Sequence, residues 1–175
     1  MRTRRHILAA GGGGLATLAM PSLLRAQQVE VIEMRGTPRG ERIWYNPIGL
    51  AITPGTILHF VNRDPVNSHT ATAYHPELFD RPARIPDGAA PWNSDFLLPD
   101  ESFEVTLEVP GVYDYYCLPH EMAGMVGRIV VSRPSDLGWH GVAQDTDDLP
   151  EAALRAFPTV EAILDQSRID PEETR

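Results

Sequence analysis

Cys117 is the only cysteine of the 175-residue chain, and it sits in the run Tyr116-Cys117-Leu118-Pro119-His120-Glu121-Met122-Ala123-Gly124-Met125. A thiolate, an imidazole and a thioether thus come from one short stretch, spaced C-x2-H-x4-M. Soft sulfur donors beside imidazole favour copper and, less selectively, zinc. Two imidazoles and a thiolate near one plane, with a long axial thioether, are the arrangement of blue-copper electron-transfer sites. Such a set suits both oxidation states, so little has to move when an electron passes. The second imidazole must come from elsewhere in the chain. His69 lies in the polar run Asp64-Pro65-Val66-Asn67-Ser68-His69-Thr70, a turn leading into a strand, from which a side chain can point back at a metal. His59 and His75 are its rivals. For the thioether, Met125 is preferred to Met122, because Gly124 lets the chain bend just before it and a strand follows. The expected metal ligands are therefore His69, Cys117, His120 and Met125, around one type 1 copper.

These side chains need a scaffold that does not relax, and the surrounding pattern is that of short antiparallel strands. Residues 29–34 and 48–52 read as edge strands, the second closed by the turn residues Thr53-Pro54-Gly55. In residues 56–62, Leu58, Phe60 and Asn62 share one face, while Ile57, His59 and Val61 share the other. Residues 70–74 are short and β-compatible. Residues 102–109 have the cleanest alternation, with Phe103, Val105, Leu107 and Val109 facing one way and Ser102, Glu104, Thr106 and Glu108 the other. Pro110-Gly111 then turns the chain into 112–116, which delivers Cys117, and Met125 opens onto a last strand at 126–131. About seven strands with Pro/Gly turns and no long helical period predict an all-β sandwich.

Two segments break this pattern. Residues 75–100 hold five prolines together with Leu78, Phe79, Trp92, Phe96 and Leu97, a composition that suits an ordered insertion loop packed by its own side chains. After residue 133 the chain turns acidic. Asp148-Leu149-Pro150-Glu151 then reads as a helix start, with two short helices expected on either side of Pro158. The division expected is a signal segment at 1–26, a metal-binding domain at 27–133 and an acidic, partly helical C-terminal extension at 134–175.

The first 26 residues carry Arg4-Arg5 ahead of Ile7-Leu8, four glycines and an apolar stretch too short for a membrane span. This resembles a twin-arginine export signal, which implies a periplasmic or other extracytoplasmic location without stable membrane insertion. Its removal after Ala26 takes away four of the fifteen basic residues and none of the 24 acids, so the formal charge moves from -9 to -13. That balance argues against nucleic acid or an anionic membrane surface as partner and favours a cationic protein surface. A lone cysteine cannot form an internal disulfide, and metal occupation would keep it from unwanted pairing in an oxidising compartment.

Taken together, the ligand loop with its feeding strand Val112-Tyr113-Asp114-Tyr115-Tyr116, and the stretch from Gly55 through Phe60 to Asn62, resemble the cupredoxins of plastocyanin and pseudoazurin type. The resemblance covers about residues 29–131. It implies a Greek-key sandwich, one mononuclear copper, and a monomer that shuttles single electrons between a protein donor and acceptor through the exposed edge of His120. Many members of that family have asparagine directly after the first ligand histidine, tying the two ligand loops together; this chain has Thr70, whose hydroxyl offers one such bond. Copper storage or delivery is the alternative, although Met34, Met122 and Met125 make no methionine-rich tract. Structural zinc normally takes stronger ligands than a thioether. A copper enzyme would need a second copper site, and no second histidine cluster is present, so the expectation is a carrier and not an enzyme.

Overall fold

The structure, a computed structural model, describes residues 27–144 and 148–171. The export-signal reading of residues 1–26 lies outside them. Alternation along Thr56–Asn62 (β4) places Leu58, Phe60 and Asn62 inward, each with no exposed surface. This strand lies at the centre of one sheet. β4 pairs in parallel with Val29–Gly36 (β1) and antiparallel with Ser102–Leu107 (β6), while Ile43–Asn46 (β2) completes the order β2-β1-β4-β6. The segment expected as an edge strand, β1, is thus inside the sheet, because β2, unread in the sequence, covers its other side. Short length and the flanking Arg-Gly and Asn-Pro residues hide β2 from a periodicity search.

The second sheet runs β5-β7-β8-β3-β9: Thr72–Ala73, Gly111–Tyr116, Val126–Val131, Gly49–Ile52 and Arg168–Ile169. Its β3 is also interior, since β9 from the C-terminal extension adds to its free side. Tyr45 and Phe60 of one sheet meet Tyr115 of the other edge-on, with ring centroids 4.8 and 5.3 Å apart from it. Cys117 and Met125 belong to this same core.

Every residue of β7 and β8 is buried, which a sandwich with one solvated face would not produce. The outer face of these strands is covered by the C-terminal extension, whose helices are Glu151–Ala156 (α1) and Val160–Gln166 (α2). Tyr116 and Val126 pack on Leu149 and Ala153, and Val112 and Val130 pack on Val160 and Ile163. Thr159 caps α2 by accepting from Ala162 N–H at 3.2 Å. The expected cap at Asp148 does not form, and α1 begins after Pro150 with no side-chain cap. Under the extension, Asp114 receives Arg84 at 2.8 Å and Arg128 at 2.7 Å. Arg128 also donates to the Pro158 carbonyl at 2.9 Å, tying extension to sheet.

The insertion loop is built into the sandwich. His69 and Leu97 exchange backbone hydrogen bonds at 3.1 and 2.8 Å, Ser94 N–H donates to Ala71 O at 3.1 Å, and Ala73 N–H donates to Trp92 O at 2.9 Å. Residues 92–97 therefore run antiparallel beside 69–73 and extend the wall that carries His69.

Candidate metal centre

β7 ends at Tyr116, and the ligand loop begins at once with Cys117. His120 N–H donates to Cys117 O at 2.9 Å, and Met125 N–H returns to His120 O at 3.2 Å. Cys117 N–H closes the loop on Met125 O at 3.0 Å. Between them lies one 3-10 turn, Glu121–Ala123, ended by Gly124 at φ 82°, a left-handed conformation that glycine adopts without strain. Behind this turn, buried Glu121 accepts from Tyr74 Oη at 2.7 Å and pairs with Arg81 of the insertion loop. The ligand loop is thus held from outside as well as by its two strands.

His69 arrives from a loop fixed by Asn62 at the end of β4. Asn62 Nδ2 donates to the carbonyls of Asn67 and Leu97, both at 2.9 Å, and Asn62 Oδ1 accepts from Asp64 N–H at 2.9 Å. The result is a triangle of donor atoms. His69 Nδ1 stands 3.6 Å from Cys117 Sγ, His120 Nδ1 stands 3.3 Å from it, and the two nitrogens are 3.1 Å apart. The point equidistant from all three lies about 1.9 Å from each, just inside the roughly 2.0–2.3 Å at which imidazole nitrogen and thiolate sulfur bind a first-row ion. This is the one group of metal-binding side chains, by type and spacing, among the described residues.

Charge favours the same use. Burial pushes the Cys117 thiol up to about 12, against the lowering effect of hydrogen bonds from Thr70 and the His120 backbone, so the metal-free sulfur keeps its proton. Burial holds both histidines below their ordinary range; Asp64 opposes this at His69, and the neighbouring His69 adds to it at His120. Two neutral imidazoles therefore offer lone pairs, and a cation that displaces the thiol proton completes a set with a single negative charge.

The other expected residues separate clearly. Met125 is fully buried in the core cluster that holds Cys117, whereas Met122 is 77% exposed. His59 lies on the outer face of β4, 2.7 Å from Glu104. His75 is part-buried, and its Nδ1 accepts from Glu77 N–H at 3.3 Å. Neither belongs to the triangle.

Thr70 does tie the loops together. Its N–H points at Cys117 Sγ at 3.3 Å, and its Oγ1 accepts from Leu118 N–H at 2.8 Å. The hydroxyl then lies 2.9 Å from Thr72 Oγ1, whose own proton goes to Asn93 Oδ1 at 2.8 Å. Thr70 must therefore donate to Thr72, and one directed chain joins the ligand loop, the His69 strand and the insertion loop. Sequence reasoning missed Asp64, Asn62 and Glu121. The asparagine and aspartate two residues apart at a strand end are the usual signal of side chains that organise a turn; Glu121 is an acid next to a ligand and gave no such signal.

Comparison with known proteins points the same way. Residues 32–132 match the family described as copper binding proteins of the plastocyanin/azurin family. A chloroplastic plastocyanin of Chlamydomonas reinhardtii is 34% identical over 131 residues, covering 73% of this chain and 82% of that protein. A pseudoazurin of Paracoccus pantotrophus is 30% identical over 128 residues, covering 72% and 77%. The solved structure of a pseudoazurin from Sinorhizobium superposes with a TM-score of 0.54 at 25% identity, covering 80% of this chain and 99% of that one. The sandwich, the clustered His69, Cys117 and His120, and these relatives describe a small electron carrier with one type 1 copper, not an enzyme. The chain belongs to the plastocyanin/azurin family of copper-binding proteins, the cupredoxins.

Proposed function

We propose that His69, Cys117, His120 and Met125 would hold the copper, and that electrons would enter and leave through His120. The observation that carries this reading is the triangle of Nδ1, Sγ and Nδ1 atoms, closed on the His69 side and half-open on the His120 side. Bound copper supplies the one-electron couple. The residues do the rest: Cys117 and the two imidazoles hold their positions through both oxidation states, and the loop bonds keep them from relaxing.

Pro119, Met122 and Ala123 are exposed around His120 and carry no charge, so a partner can approach closely there. Exposed Phe96 and Leu98, on either side of Leu97, stand at the His69 edge of the site. The acid-rich composition supports docking to a cationic surface, with an association rate that falls as salt is raised. The twin-arginine-like start supports export as residues 27–175, acting as a monomer in the periplasm or another extracytoplasmic space; no described helix is long and apolar enough to cross a membrane.

The test is the visible spectrum of the oxidised, copper-loaded protein. An intense thiolate-to-copper band is expected, lost in Cys117→Ser, shifted but kept in Met125→Leu, and untouched in Met122→Leu. A colourless protein that yields Cu(I) rapidly to a chelator would instead favour copper delivery.

A further inference from the structure

The two histidines of the centre differ in what their outer nitrogens meet. His120 is half-buried, but the His69 Nε2 lies 3.0 Å from Asp64 Oδ2, and both of these side chains have no exposed surface. Asp64 is itself fixed on every side. Its Oδ1 accepts from Val66 N–H at 2.8 Å and Asn67 N–H at 3.1 Å, and its Oδ2 accepts from Asn67 Nδ2 at 2.9 Å. The backbone of β1 forms the wall behind it. A Cβ on Gly36 would stand 1.9 Å from Asp64 Oδ2, so only glycine leaves room for the carboxylate where it is.

An ionised carboxylate can only accept, so the proton of a neutral His69 must sit on Nε2 and the lone pair on Nδ1, the atom that faces Cys117. Carboxylate partners of ligand histidines set ring orientation and tautomer in this way and raise the basicity of the coordinating nitrogen. A fixed negative charge one imidazole away from a metal also stabilises the more positive of its two oxidation states, and burial keeps water from screening it.

Resting on the reading of His69 as a ligand, we propose that Asp64 is a positioning residue of the centre. Its buried carboxylate locks His69 in the coordinating tautomer and lowers the reduction potential by favouring Cu(II) over Cu(I).

The experiment compares copper-loaded wild type, Asp64→Asn and Gly36→Ala by redox titration and visible spectroscopy. In Asp64→Asn the ratio of reduced to oxidised protein at a fixed ambient potential should rise about tenfold, equivalent to about 59 mV for one electron, with the charge-transfer band retained. Gly36→Ala, which keeps the charge but pushes it off Nε2, should move the potential in the same direction by less. An unchanged potential in both variants overturns the proposal and leaves Asp64 a turn-forming residue. Should Asp64→Asn not fold, Gly36→Ala decides together with nitrogen-15 NMR of the wild-type Cu(I) protein. There the His69 Nε2–H must appear as a slowly exchanging proton; its absence overturns the proposal. His69→Gly separates the two readings: an unaltered band in that variant defeats His69 as a ligand, whatever Asp64 does.

Discussion

The hydroxyl chain through Thr70 gives the sharpest mutational test of how the ligand loops are held. Valine in place of Thr70 keeps the shape of the side chain but removes its oxygen. Leu118 N–H then loses its acceptor at 2.8 Å, and Thr72 Oγ1 loses its donor at 2.9 Å. A buried or part-buried donor left without a partner costs about 1–3 kcal/mol, and an ordinary internal hydrogen bond contributes about 0.5–1.5 kcal/mol net. Leu118 is only part-buried, so water recovers some of the first term. The expected loss for Thr70→Val is about 2 kcal/mol, or a fall in Tm of about 4–8 °C for a chain of this size. Copper-free protein should be used, because metal binding adds its own stabilisation to the folded state. Thr72→Val removes the other end of the same bond. The double variant should therefore lose less than the two single changes together, by at least about 0.5 kcal/mol. A loss below about 0.5 kcal/mol in Thr70→Val, or strict additivity with Thr72→Val, would refute the directed chain. The Thr70 N–H to Cys117 contact survives the substitution, so the visible band of the copper form should change little.

Asp114→Asn removes the carboxylate that Arg84 and Arg128 share beneath the C-terminal extension, and urea unfolding should show a loss of about 3–5 kcal/mol. Limited proteolysis should cut the extension faster in that variant, and resistance equal to wild type would count against the extension being tied down there. Acid should weaken the copper-free protein in two stages. His69 and His120 have folded pKa values below the ordinary 6.5, so the unfolded chain binds more protons and stability falls as pH drops from about 6.5. At Asp64, burial works to raise the pKa, but hydrogen bonds from Asn67, Val66 and His69 outweigh it and hold it at about 2, below the ordinary 3.8. Its contribution, about 2 kcal/mol, is present above pH 4 and lost between pH 4 and 2, and Asp64→Asn should abolish that second stage in an acid-unfolding curve. Metal uptake should release about one proton, that of Cys117, so the apparent copper affinity measured by chelator competition should rise about tenfold per pH unit from pH 7 to 9. A flat profile would mean that the sulfur is already ionised in the metal-free protein.

Much of the centre was legible in the chain because three of its four expected ligands are local. Cys117, His120 and Met125 are bound to one loop length, and the soft-donor chemistry of that spacing is the same whatever surrounds it. Strands β4 and β6 were legible too, since a buried face imposes period-two alternation on residues 56–62 and 102–107. His69 is preferred to His59 and His75 for its place in a polar turn leading into a strand, but nothing local dictates that such a turn residue points inward. Folding decided it: parallel pairing of β1 with β4 and the pairing of residues 69–73 with 92–97 turn His69 inward, while His59 falls on the outer face of the sheet.

Alternation and turn residues determined the all-β class, composition the acid-rich character, and spacing the single thiol with an imidazole three residues away. Only tertiary structure decided what the long insertion and the C-terminal extension are for. Asn93 ends a hydrogen-bond chain that begins at Leu118, Arg81 clamps Glu121 behind the ligand loop, and α1 and α2 cover the outer face of β7 and β8. These partners lie between 21 and 48 residues apart in sequence where they meet through side chains. Periodicity and spacing report only on neighbours within a turn or a strand, so contacts of that range exist for the chain only once the two sheets have closed on each other.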